Sequence, residues 1–185
     1  MTLRSPSAPD RLLEAAVAEF ARLGKAGART GQIATKAGVN KQLIHYYFGT
    51  KEGLYQQALA HAGSQVAEAL ARIPLVGLTA VERLRRLVQG QFDFLLRHPD
   101  LAAALTKAEE GGRWADAAME PVVTLLTEGQ ATGFFRDDLD ALHHARVSLL
   151  LNLGYFALAP IARQWGDPTV WRDRAADLIV HSATW

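Results

Sequence analysis

Cysteine is absent from this 185-residue sequence, which removes disulfide cross-links, cysteine-ligated zinc and cysteine nucleophiles from consideration. Strand signals are nearly as scarce, since no period-2 run of β-branched residues bounded by turn residues occurs. A membrane-length apolar run is lacking too. The longest candidate, residues 147–162, is interrupted by Ser148, Asn152, Gly154 and Pro160 and falls short of the roughly 18 apolar residues a span requires. It reads as a core helix, and no membrane partner is expected. The first ten residues carry one arginine and no apolar stretch, so no secretory signal is read and a cytoplasmic protein is the expectation. No phosphate-binding glycine loop, G-x-S-x-G elbow or H-E-x-x-H motif is found, which leaves an enzyme without positive support. No cofactor is expected.

What is there is the material of one or two compact domains. At 49% hydrophobic and 21% charged, the chain can bury a core and lies far from the composition of disorder. The totals of 20 Lys+Arg and 19 Asp+Glu conceal an asymmetry. Residues 1–51 carry eight cations (Arg4, Arg11, Arg22, Lys25, Arg29, Lys36, Lys41, Lys51) against three anions (Asp10, Glu14, Glu19), a net of +5. The remainder is net negative by four. A basic first quarter on an acidic body fits a polyanion-binding head; a chance excess on a solvated face is the alternative. Lys36 and Arg29 read as solvated surface, within possible reach of phosphate.

Helical spacing recurs throughout, so the expected fold is all-α. After a Ser/Pro-rich lead, a first helix is expected over residues 10–23, with Leu12, Leu13, Ala16, Val17, Phe20 and Leu23 as its apolar stripe and Gly24 as its end. Thr30 is the N-cap candidate of a short second helix carrying Ile33, Ala34 and Ala37, which Gly38 ends. Asn40 caps a third over residues 41–48, stopped by Gly49. Thr50 opens a long helix to about residue 72, and Thr79 one to residue 97. Short or longer helices follow from His98-Pro99-Asp100, over 114–130, over 138–163 with a bend near Gly154, and over 168–182. Gly111-Gly112 breaks the chain between two of them.

Residues 30–54, TGQIATKAGVNKQLIHYYFGTKEGL, carry the function. Two short capped helices joined by a glycine-containing turn make a helix-turn-helix, whose second helix can enter the major groove. On residues 41–48, Ile44, Tyr47 and Phe48 share one face and are expected to pack inward. The opposite face presents Gln42 and Tyr46, flanked by Lys41, Leu43 and His45. Gln can pair with an adenine edge, Lys can reach guanine or phosphate, and Tyr or His can donate to phosphate. Tyr46 either contacts the DNA backbone or packs beside the first helix.

At Ala15-Ala16, Phe20, Gly24, Ile33-Ala34, Ala37-Gly38-Val39-Asn40, Tyr47-Phe48, Lys51 and Leu54, the chain resembles the TetR family of bacterial transcription regulators. The resemblance covers about the first third of the chain. It implies an N-terminal three-helix helix-turn-helix DNA-binding domain (1–50) and a C-terminal helical ligand-binding and dimerisation domain (51–185). By position it implies a phosphate contact at Thr30, base-edge contacts at or near Asn40, Lys41, Gln42 and Leu43, and phosphate contacts at His45 and Lys51. His45 replaces the tyrosine usual there, so that contact weakens with rising pH if it depends on imidazolium. Gly31 removes a base-reading arginine that some members have.

The resemblance places an effector pocket among the middle helices, with Phe92, Trp114, Met119, Phe134, Asn152, Tyr155 and Phe156 as candidate lining and an apolar or aromatic small molecule as the expected effector. Asn152 inside LLLNLGYF must find a partner in a ligand, a water, a second subunit or a neighbouring helix. His143-His144 lacks the third ligand a metal site needs, and Glu109-Glu110 reads as a solvated loop. Leu142, Val147, Leu149, Leu150, Leu151, Leu153, Phe156 and Leu158, with Val170, Trp171, Leu178, Ile179 and Trp185, offer an isologous homodimer surface; completing a monomer core is the alternative. The expected function is a DNA-binding transcriptional regulator, a homodimeric repressor on a pseudo-palindromic site in double-stranded DNA. A ligand-independent architectural DNA binder, and a helical carrier or enzyme with an incidental basic head, are the competing readings.

Overall fold

The computed structural model describes residues 6–108 and 113–184. Every regular element among them is helical: α1 (Ala8–Gly27), α2 (Thr30–Ala37), α3 (Gln42–Phe48), α4 (Lys51–Ala71), α5 (Ala80–Arg97), α6 (Pro99–Thr106), α7 (Arg113–Ala131), α8 (Ala141–Ala157), α9 (Ala159–Ala162) and α10 (Pro168–Ala183), with a 3₁₀ turn at Arg163–Trp165. The Glu109-Glu110 pair, the break at Gly111-Gly112 and Trp185 lie outside the described residues.

Local chemistry sets most of the boundaries. Thr50 accepts from the Gly53 amide, and Thr79 forms a reciprocal capping box with Glu82, so the expected starts of α4 and α5 stand. Gly38 closes α2 in the left-handed region at φ 65°, a conformation that carries little cost only for glycine. Four expectations need correction. α1 begins at Ala8, because Ser7 and Asp10 form a capping box and Pro9 occupies the first turn, where its missing N–H costs nothing. Gly24, at φ 67° and ψ 174°, kinks the chain and one further turn follows to Gly27; Leu23, just before the kink, is exposed. Thr30 is the first residue of α2 rather than its cap, a place taken by Arg29 without a side-chain bond. The expected helix over 138–163 divides after Ala157 and not at Gly154, since Pro160 has no N–H to continue the ladder and its ring crowds the carbonyl four residues back, at Phe156.

One hydrophobic cluster runs through the molecule. Leu12, Ala16 and Phe20 of α1 meet Ile33 and Ala34 of α2, Ile44 and Phe48 of α3, and Leu54 and Tyr55 of α4; Phe20 and Tyr55 pack edge to face at 4.9 Å. The same cluster continues into α5, α7, α8 and α10 through Leu84, Leu126, Leu149 and Ile179. Phe92, Tyr155 and Ala162 form a small separate cluster, with Phe156 and Trp171 against it. At Gly63 the α4 backbone presses on α7 so closely that a Cβ would stand 2.2 Å from the Trp114 carbonyl oxygen. α10 is tied along α5 by Arg85 to Asp177, Gln89 to Asp173 (2.8 Å) and Arg172 to Asp93 (3.2 Å). Between head and body, Lys107 at the end of α6 donates to the Ala21 carbonyl of α1 at 2.5 Å.

Candidate nucleic-acid interface

The basic first quarter sorts into occupied and available charges. Arg22 and Lys36 both bind Glu19, at 3.2 and 2.7 Å, and Glu19 is 0% exposed. Lys36 is at the surface as expected, but its ammonium is engaged by a carboxylate standing on the buried face of α1. The Lys36 bond holds the Glu19 carboxyl below the usual glutamate range, against the opposing effect of burial. Lys25 pairs with Glu52 at 2.8 Å, and Arg11 donates to the Ala37 and Pro6 carbonyls. Among the described residues, Arg29, Lys41 and Lys51 are left, facing one place. They border a shallow concavity of about 580 Å³ where the N-termini of α2, α3 and α4 converge, with Thr30 and Gln32 on its wall and no carboxylate in its lining. Lys51 is steadied there by a 3.0 Å bond to the Ala26 carbonyl.

Beside the concavity stands the outer face of α3. The Asn40 carboxamide oxygen accepts from the Gln42 amide at 2.8 Å, fixing the helix start. Lys41, Gln42, His45 and Tyr46 are exposed and Leu43 is half-buried. Tyr46 is 79% exposed, which settles the open alternative against packing on α1. Tyr47, expected inside, is 39% exposed and lies edge-on to Tyr46 at 4.9 Å. Two turns of helix contribute only Ile44 and Phe48 to the buried core, and Tyr47, three residues on from Ile44, falls on the flank. His45 Nδ1 lies 2.9 Å from the Gly49 carbonyl oxygen. A carbonyl only accepts, so Nδ1 carries the proton and neutral Nε2 is an acceptor. His45 can then donate to a phosphate only as imidazolium.

In the body, Phe92, Tyr155 and Phe156 come together, with ring centroids 5.1 and 5.2 Å from Phe92. Asn152 is buried and donates to the Val88 carbonyl (3.1 Å) and to Gln91 Oε1 (2.8 Å), so a neighbouring helix is among its partners. Trp114 and Met119 are buried in the main cluster, whereas Phe134 is exposed. Sequence reading missed Gln91 and Ser148, both buried. Gln91 had a signal: it stands in the α5 stripe of Leu84, Leu87, Val88, Phe92 and Leu95. Of the two adjacent histidines, His144 reaches Ser182 Oγ at 3.0 Å, and burial with His143 alongside pushes its imidazole below the usual histidine value.

Two short helices, α2 and α3, joined at a left-handed glycine and presenting an exposed polar face beside three cations, define a helix-turn-helix DNA-binding protein. Residues 12–58 match the family model described as bacterial regulatory proteins, tetR family. The chain is 32% identical over 158 residues to the HTH-type transcriptional repressor NicS of Pseudomonas putida, covering 80% of this chain and 74% of that one. It is 37% identical over 106 residues to the HTH-type transcriptional repressor SCO4008 of Streptomyces coelicolor, covering 57% and 52%. The chain belongs to the TetR family. Its fold is that of the regulator FadR from Bacillus subtilis, solved in complex with stearoyl-CoA (TM-score 0.77, 20% identity, 93% and 97% of the two chains), and of FadR from Bacillus halodurans (TM-score 0.78, 20% identity, 92% and 97%). The protein is a DNA-binding regulator of transcription and not an enzyme. No helix among the described residues is long and apolar enough to cross a membrane.

Proposed function

We propose that the protein is a homodimeric repressor whose paired α3 helices enter successive major grooves of a pseudo-palindromic operator, about 34 Å apart, and that a small-molecule effector releases it. Residues 1–50 form the DNA-binding unit and 51–185 the effector and dimerisation unit, divided at the Thr50 cap. Thr30, His45 and Lys51 take phosphates; Asn40, Lys41, Gln42 and Leu43 lie at base edges, and Tyr46 reaches the backbone. The observation that carries this reading is the carboxylate-free concavity bordered by Arg29, Lys41 and Lys51 beside the exposed face of α3. The repressor names of the two relatives support the sign of control. For the effector, the aromatic grouping of Phe92, Tyr155 and Phe156, with Asn152 adjacent and Trp114 and Met119 on α7, supports an apolar or aromatic molecule. An effector that favours a dimer with a different head spacing depopulates the DNA-competent form, and operator DNA then weakens effector binding by the same factor.

Anisotropy titrations against DNA from beside the gene, at several salt concentrations, test this. Lys51→Ala is expected to weaken binding to all sequences and to reduce the salt slope by about one. Gln42→Ala is expected to alter base preference at one position per half-site, a discrimination worth about 1–3 kcal/mol. Parent-like behaviour of both variants on every DNA would remove α3 from the interface.

A further inference from the structure

We infer that the effector is an uncharged aromatic molecule bearing an N–H or O–H donor, and that it gives that donor to Asn152 Oδ1 on α8. This rests on the effector-responsive reading above and specifies its chemistry. The orientation of both buried amides is forced. The Val88 and Ala118 backbone carbonyls only accept, so Asn152 Nδ2 must face the first (3.1 Å) and Gln91 Nε2 the second (3.3 Å). Gln91 Oε1 then takes the second Asn152 proton at 2.8 Å. Both Nδ2 protons are used, and Oδ1 is left without a partner. Ser148, one turn earlier on α8 and equally buried, also has a bare hydroxyl, and on α7 the Trp114 indole N–H is unpartnered one turn before Ala118. Buried polar atoms are almost always satisfied; these lie on α7 and α8, which pack on each other and on α5, and the Trp171 indole N–H on α10 is unpartnered as well. What they lack is a donor for Asn152 and an acceptor for Trp114, with Ser148 able to serve as either.

Charge and shape narrow the class. Among the described residues of α4–α10, the buried polar side chains are Gln91, Ser148 and Asn152, none of them ionisable. A carboxylate entering here would meet no counter-ion and would bring no proton for Oδ1. On the other side, Phe92 follows Gln91 directly, and Tyr155 lies three residues beyond Asn152 on α8. They belong to the small cluster separate from the main core, so the amide pair adjoins a boundary between two apolar bodies and a flat ring parting that boundary would lie against aromatic faces.

The test uses the full chain and two size-matched pairs of probes: benzamide, which carries a donor, against benzoate, which is charged; and phenol, which carries a donor, against toluene, which has neither. Thermal unfolding and calorimetric titration are expected to show benzamide and phenol bound at least tenfold more tightly than benzoate or toluene. The Gln91→Leu/Asn152→Leu double variant removes both partners together, which spares the fold an orphaned amide, and is expected to erase that preference. Ser148→Ala, a smaller change, is expected to weaken benzamide severalfold while raising the parent melting temperature by about 2–4 °C, since it deletes a bare buried hydroxyl. Equal binding of toluene or benzoate, no binding by any probe, or a preference intact in both variants would overturn the inference. Titrating operator DNA in parallel separates the two readings. Discriminating probe binding that leaves DNA affinity unchanged overturns effector release and upholds the site. DNA release by a probe whose effect ignores Gln91, Asn152 and Ser148 upholds release and overturns the site.

Discussion

Leu150→Glu is expected to leave the protein folded but monomeric, and to lower its affinity for a two-fold operator by about 10²–10⁴, the factor lost when two linked binding events become independent. Leu150 lies in the middle of α8 yet is 68% exposed, while Leu149 and Leu153 beside it are buried. Leu142 on α8, Leu158 just past its end, and Val170 and Leu178 on α10 are exposed as well. The all-round hydrophobicity of α8 therefore divides between a covered face and an uncovered one, which a second copy would cover in the proposed dimer. Burying a leucine fully contributes about 1.5–3 kcal/mol, and a two-fold interface repeats each contribution and brings introduced like charges toward one another. Sedimentation equilibrium reads the result directly. Leu96→Glu, an exposed leucine on α5, serves as the control and should remain dimeric. A dimeric Leu150→Glu protein would move the interface off α8 and α10.

The second large effect lies under the recognition helix pair. Glu19 is wholly buried, but its partners Lys36 and Arg22 keep 44% and 60% of their side chains in solvent. Removing the cations strands a carboxylate; removing the carboxylate releases cations to water. Lys36→Met/Arg22→Met is thus expected to destabilise the protein by about 3 kcal/mol, at the low end for an uncompensated buried charge because the site adjoins the surface, whereas Glu19→Leu should be near neutral. The pH trends separate the two further. In the parent, the Glu19 pKa is lowered by its bond to Lys36, so its contribution is complete above the ordinary glutamate value and is lost as pH falls through the lowered one. In the double variant only burial remains, the pKa rises instead, and stability should recover on acidification. Urea unfolding at about pH 4 and pH 7 checks both signs; equal losses in the two variants would show the triad to be ordinary surface pairing.

How much of this was readable in advance depended on how local the cause was. The caps at Thr50 and Thr79 act within three residues of themselves, Asn40 accepts from the Gln42 amide just before α3, whose cap position is Lys41 and not Asn40, and Gly38 sets its own backbone, so the helix-turn-helix stood out. Glu19 and Lys36 are seventeen residues apart on different helices, and no spacing rule pairs them; the charge count alone made Lys36 look available. Tyr47 was misplaced because seven residues of helix leave the edge of the buried face poorly defined. Pro160 was visible, yet the bend was assigned to Gly154, which has room for a Cβ and sits in an ordinary helical turn. In the body, apolar positions were legible but their partners were not. Gln91 and Asn152 are 61 residues apart, and only tertiary packing makes them neighbours.

The near-contact of backbones at Gly63 gives α4 the mechanics of a lever. Its outer end, Lys51, borders the concavity of the head, and twelve residues further along, about 18 Å at 1.5 Å per residue, Gly63 rests on Trp114 without an intervening side chain. A tilt of about 5° over that fulcrum would swing the Lys51 end by ~1.6 Å at that helical reach, more than a phosphate hydrogen bond tolerates. Because no cushion of side chains lies between the two backbones, a shift of α7 that tilts α4 would be felt at the Lys51 end in proportion to the length of the arm.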